Sequence, residues 1–275
     1  MAIGIGMHVQ DPSDDSMNLA MSEAGRPLYD AVKAFVTADV EPLTEEFFRL
    51  GEDRADRWSW APGQLELLDG LKAKARQKGL WNFFLPDDET GQGLSNLDYA
   101  YIAAELGRSR LASESLNCSA PDTGNMEVLE RVGTPEQKEQ WLEPLLNGEI
   151  RSCFAMTEPG LASSDAKNIA TQAVLDGDEW VINGEKYYIS GAGDPRCKVM
   201  ICMVQTSPDG PPHRRQSQIL IPMDTPGVNI LGPMQVFGQD DAPHGHMHIH
   251  LDNVRVPKAN ILLGEGRGFE ISQLR

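Results

Sequence analysis

The feature that most constrains this chain is a change of period near residue 150. Before it, apolar residues recur every three or four positions. After it, short β-rich runs alternate with Gly and Pro turns. That order calls for a helical layer followed by a sheet. Leu28, Val32, Phe35 and Val36 predict one amphipathic helix, and Leu65, Leu68, Leu71 and Ala75 another that ends at Gly79. Ser95 with Asp98 three residues on is a helix start, and Thr134, Pro135 and Gln137 form a second.

Four or five helices are therefore expected over residues 25–150, behind a loose polar lead at 1–24. In "IATQAVLDGDEWVINGEKYYISG", Asp176-Gly177 and Asn183-Gly184 suit the positive φ of tight turns, so a three-strand antiparallel meander is expected. "KVMICMVQ", "SQILIPM", "GVNILGP" and "HMHIHLDNVRVP" predict further strands. The expected fold is multi-domain α+β: an all-α helical domain, then a small antiparallel β-barrel or sandwich over 151–262. Residues 263–275 turn helical after Gly268, as the start of a truncated C-terminal helical domain.

Charge narrows the partners. Lys and Arg number 24 against 41 Asp and Glu, a net charge of −17 that repels a phosphate backbone, so no nucleic acid is expected. A small nucleotide cofactor stays open, because helix N-termini and turn amides bind phosphate locally. Cys118, Cys153, Cys197 and Cys202 form no CxxC pair, and they read as reduced core residues. No stretch approaches the ~18 apolar residues of a membrane span, and the acidic N-terminus lacks transit-peptide character. A cytoplasmic location is the expectation.

The chemistry concentrates in "SCFAMTEPGLASSDAKN", Ser152 to Asn168. That stretch packs an apolar run, a Thr-Glu-Pro-Gly turn and a Ser-Ser-Asp triplet into seventeen residues. Phe154, Met156, Thr157, Glu158, Pro159, Gly160, Ser164 and Asp165 resemble the T-E-P-G-x-G-S-D flavin loop of the acyl-CoA dehydrogenase family. Tyr188, Ile189 and Ser190 are similar to that family's aromatic-aliphatic-hydroxyl triplet, with Tyr where Trp is frequent. "NVRVPKANILLGEGRGF" resembles its closing β-strand. The likeness covers residues 25–275. Leu161, Ala162 and Ser163 make the loop one residue longer, as in the branch typified by family members ten and eleven.

The resemblance implies FAD as cofactor, held by Phe154, Met156, Thr157, Ser163, Ser164, Tyr188, Ile189 and Ser190. Tyr188 would pack on the flavin, Ser190 would lie near N5, and Ser164 would also face the pantetheine arm of an acyl-CoA substrate. It implies α,β-dehydrogenation to the trans-2-enoyl-CoA, an electron-transfer flavoprotein as acceptor, and a homodimer or homotetramer. In the family the base is a carboxylate of a C-terminal four-helix domain, so no catalytic residue is expected within this chain. Glu158 and Asp165 sit beside the loop but read as salt-bridged or solvated groups. An acyl-CoA oxidase-like flavoenzyme and a non-catalytic flavin or acyl-CoA-binding protein are the alternatives. His244, His246, His248 and His250 alternate as strand neighbours would, but they read as a polar sheet face, with no metal expected.

Overall fold

The computed structural model describes residues 19–52, 54–87 and 90–274. Most of the expected loose lead, residues 1–18, lies outside the described residues, as does Arg275. The helical half contains α1 (Arg26–Phe35), α2 (Glu41–Gly51), α3 (Gln64–Gln77), α4 (Asn96–Leu106), α5 (Ala112–Ser115), α6 (Asp122–Val132), α7 (Pro135–Gln137) and α8 (Glu143–Leu146). Two pairs are single rods. A π-turn at Val36–Val40 joins α1 to α2, and another at Lys138–Leu142 joins α7 to α8.

Each π-turn immediately precedes a proline at the start of the next segment, Pro42 or Pro144. Proline has no N–H and its ring crowds the carbonyl four residues back, so widening one turn lets the helix continue past it. The expected caps form. Ser95 Oγ accepts from the Asp98 amide, and Thr134 and Gln137 close a reciprocal capping box.

The strands β1 (Arg151–Ala155), β2 (Gln172–Asp176), β3 (Glu179–Ser190), β4 (Cys197–Gln205), β5 (Gln216–Pro222), β6 (Val228–Pro233) and β7 (His246–Pro257) form one curled sheet. Its path is β1-β4-β2-β3-β7-β6, with β5 also on β4. Most pairs are antiparallel, but β1 and β2 both run parallel to β4. The expected meander is corrected at one turn. Asp176-Gly177 does turn, with Gly177 at φ +62°, but Asn183-Gly184 lies inside β3, where the register with β7 slips. A Cβ on Gly184 would come within 2.4 Å of Thr171 Oγ1, so this glycine serves close backbone approach in a bulge.

One apolar core fills the space between the helices and continues onto β4 and β5 through Val199, Ile201 and Leu220. A second lies inside the curl of the sheet and includes Trp180, Ile182, Met200 and Ile249. The four cysteines are free and buried. After residue 263 a five-residue helix, α9 (Gly268–Ser272), docks on β5, where Gln218 Nε2 donates to Gly268 O and Ser272 Oγ. Too short to persist alone, it is held by that contact. Among the described residues no helix is long and apolar enough to cross a membrane.

Candidate functional site

The loop after β1 and the end of β3 meet although thirty residues separate them. Thr157 Oγ1 donates to Tyr187 O at 2.6 Å, and the Tyr187 amide donates to Thr157 O at 3.0 Å. β3 can make this pairing because it leaves the β7 ladder there, with the register shifting between Lys186 and Ile189. At that bulge Tyr188 takes φ +55°, rare for a bulky residue, and its ring projects outward at 45% exposure. Its neighbour Tyr187 supports it edge-on, with ring centroids 5.1 Å apart.

Beneath the loop sits a charge pair. Lys186 Nζ is fully buried and donates to Glu158 Oε1 at 2.8 Å, to Met156 O at 3.0 Å and to Met203 O at 2.6 Å. The Glu158 carboxylate also accepts from the Ala170 and Thr171 amides. Burial opposes its charge, but Lys186 and the amides outweigh burial and hold its pKa below the ordinary carboxylate range. Glu158 is thus a salt-bridged anchor. Asp165 caps a short 3₁₀ turn through the Lys167 amide and is exposed.

The remaining loop side chains divide by direction. Ser163 is buried, and its hydroxyl accepts from the Glu158 amide at 2.7 Å, so it latches the loop and does not face outward. Ser164 is exposed. Thr157 has its proton committed to Tyr187 O, which leaves only lone pairs for a ligand. Met156 and Phe154 are half-buried, and Ile189 packs into the sheet interior. Ser190 pairs with His246 across β3 and β7, Oγ to Nδ1 at 2.8 Å. The outward chemistry is an aromatic face, small hydroxyls and main-chain groups, with the nearest charges neutralised below. That donor set fits a planar heteroaromatic cofactor with one polar edge.

The histidines separate into two environments. His246, His248 and His250 share one face of β7, whereas His244 precedes the strand and lines a cavity. Carboxylates stand near two of them: Asp241 Oδ2 lies 3.2 Å from His246 Nε2, and Glu185 Oε2 lies 3.7 Å from His248 Nε2. Among the described residues no group of three or more His, Cys, Asp or Glu side chains has the arrangement to hold a metal.

That cavity, about 860 Å³, opens between the helices and the sheet, with Arg54, Arg57, Arg110, Glu114, Asp241 and His244 in its wall. None of the loop residues above lines it. Its floor is an ion cluster that the sequence did not announce. Glu114 meets Lys72 at 3.1 Å and Arg196 at 2.7 Å, while Arg151 meets Asp122 at 2.6 Å. Burial works against the Glu114 charge, but Arg151, Arg196 and Lys72 more than offset it and drive its pKa down. Burial also dominates at Asp122, whose pKa is raised despite Arg151. Each partner comes from a different element, so only the missing signal of long-range proximity could have paired them.

A helical layer feeds a curled sheet, and a hydroxyl-rich loop lies at the crossing between them. The family models for "Acyl-CoA dehydrogenase, N-terminal domain" and "Acyl-CoA dehydrogenase, middle domain" match residues 22–149 and 153–254. The chain belongs to the acyl-CoA dehydrogenase family. It is 51% identical over 260 residues to acyl-CoA dehydrogenase family member 10 of Mus musculus, covering 93% of this chain and 24% of that protein. It is 49% identical over 256 residues to family member 11 of Homo sapiens, covering 91% of this chain and 32% of that protein. A structure of a putative acyl-CoA dehydrogenase from Mycobacterium abscessus superposes with a TM-score of 0.85 at 49% identity, covering 92% of this chain and 63% of that one. The chain spans 24% and 32% of the length of these two curated relatives.

Proposed function

We propose that the protein of which this chain forms the helical and β portions is an FAD-dependent acyl-CoA dehydrogenase, converting an acyl-CoA thioester to the trans-2-enoyl-CoA. The observation that carries the reading is the double Thr157–Tyr187 hydrogen bond. It joins the two motifs that a flavin edge requires into one surface. Tyr188 supports it further: a bulky residue held at positive φ and turned outward is strain of roughly 1–3 kcal/mol, a cost tolerated where a ligand uses the side chain.

In this reading Tyr188 packs on the ring system, and Thr157, Ser190 and the main chain at Met156 border its polar edge. Ser164 serves the pyrophosphate and the pantetheine arm. FAD, when bound, supplies the acceptor for the hydride leaving the substrate β carbon. The protein's part is to orient the ring, exclude water from its face and polarise the thioester so that the α proton is acidic. Glu158 and Asp165 are engaged in holding the loop, and by resemblance to the family the base that takes that proton is a carboxylate of the C-terminal helical domain. An electron-transfer flavoprotein as acceptor and a homodimer or homotetramer complete the proposal.

Purified full-length protein should be yellow, and its flavin absorbance should bleach when acyl-CoA is added without oxygen. Slow reoxidation by air supports a dehydrogenase, and fast reoxidation redirects the reading to an oxidase. Protein that binds no FAD overturns it.

A further inference from the structure

Ser190, His246 and Asp241 form a hydrogen-bonded chain. Ser190 and His246 stand directly opposite each other in the β3–β7 register. Ser190 Oγ is 2.8 Å from His246 Nδ1, and His246 Nε2 is 3.2 Å from Asp241 Oδ2. Asp241 is fixed in turn by Arg110, whose Nη2 lies 3.2 Å from Oδ1.

We propose that His246 is a positioning residue whose protonation decides whether the Ser190 hydroxyl offers a bound flavin a hydrogen-bond donor or only an acceptor. The inference rests on the reading above, in which Ser190 borders the flavin edge. Its logic is proton counting. A carboxylate only accepts, so neutral His246 carries its single proton on Nε2, toward Asp241. Nδ1 is then bare and takes the Ser190 proton, leaving Ser190 with lone pairs alone to present outward. When His246 is protonated, Nδ1 donates to Ser190 Oγ, and the hydroxyl proton is released for an acceptor atom on the ligand. One proton reverses the sense of the Ser190 bond while every heavy atom stays in place.

Charged groups surround the ring. Asp241 Oδ2 faces Nε2, and Arg110 holds the other carboxylate oxygen. On the same strand face His248 leans toward Glu185 of β3. Behind Gly245, His244 is held below the ordinary histidine range first by burial and then by Arg151. It therefore adds no positive charge beside His246 near neutral pH. Asp240, next to Asp241, is paired with exposed Arg57.

The test uses the full-length protein and two readouts. Affinity for oxidised FAD, whose ring nitrogens accept hydrogen bonds, is measured from pH 5.5 to 8.5 beside affinity for ADP, which lacks the ring. The FAD dissociation constant should fall about fivefold as pH drops through the His246 transition, the worth of one ordinary hydrogen bond. ADP should show no such step, and Ser190→Ala and His246→Asn should each remove it. Independently, ¹⁵N NMR of the imidazoles in flavin-free protein should find neutral His246 protonated at Nε2. If His246→Asn does not fold, Asp241→Asn replaces it, and there the Nε2 tautomer preference should weaken.

A step that survives His246→Asn, or neutral His246 protonated at Nδ1, overturns the switch. Absence of any step in protein that does bind FAD also overturns it while leaving the flavin reading intact. Protein that binds no FAD overturns the proposed function instead, and the tautomer measured by NMR then decides the hydrogen-bonded chain.

Discussion

Lys186 Nζ stands 2.8 Å from Glu158 Oε1, with the lysine side chain removed from solvent. All three ammonium donors are used, by Glu158, Met156 O and Met203 O. β3 thereby pins the loop from below, and the loop's outer side is left free of charge from this pair.

Removing one partner strands the other. Lys186→Met should cost about 3–5 kcal/mol, because an unpaired carboxylate then remains buried. Urea unfolding monitored by circular dichroism reads this as a lower midpoint. The double variant Lys186→Met with Glu158→Gln should recover part of the loss.

The same pair sets an acid limit. Burial raises the Glu158 pKa, but Lys186 lowers it further, so the net folded value lies below the ordinary 4.5. A depressed carboxylate contributes its full stability above its unfolded pKa and loses it as pH falls through the folded one. Urea midpoints should therefore drop below about pH 4.5, and Lys186→Met should show less of that drop. An unchanged acid profile in the variant refutes the assignment.

Two adjacent serines should behave oppositely. Ser163→Ala leaves the Glu158 amide without its buried partner and should destabilise by about 1–3 kcal/mol. Ser164→Ala, at an exposed hydroxyl, should stay within about 0.5 kcal/mol of the parent. Isothermal titration with FAD should nonetheless find weaker binding for Ser164→Ala, by about fivefold if one hydrogen bond is lost.

Tyr188→Gly separates stability from binding. Glycine accepts φ +55° without strain, so thermal stability should rise by about 1 kcal/mol. FAD affinity should fall, since the exposed aromatic face is gone. A loss of both stability and affinity would mean that Tyr188 serves the sheet rather than a ligand.

Glu114→Gln tests the interlayer cluster. Lys72, Arg151 and Arg196 all approach Glu114, and removing its charge leaves buried cations without that partner. The expected loss is about 3–5 kcal/mol, read from a denaturant midpoint.

Much of the fold was legible because its signals are local. Apolar spacing marked α1 and α3, and side-chain oxygens reaching their own helix amides marked α4 and α7. Asn183-Gly184 misled because the same left-handed tolerance that suits a tight turn also suits a bulge. Only Thr171, packed against Gly184, decides between them. At the site, residue identity and a family resemblance selected the loop and the Tyr188 triplet, but not the direction of any side chain. Ser163 and Ser164 are chemically identical, yet one latches the loop and the other faces solvent.

The sequence by itself determined the order of helical and sheet layers, the caps, the strand segments and the family, since each depends on residues close in the chain or on their identities. Only the tertiary structure decided which groups are spent and which are offered. Glu158 is an anchor because Lys186 lies beneath it, the Thr157 proton goes to Tyr187, and Ser190 is hydrogen-bonded to a histidine 56 positions away. Hydrogen bonds and ion pairs act over about 3 Å of space whatever the distance along the chain, and the curl of the sheet sets that space.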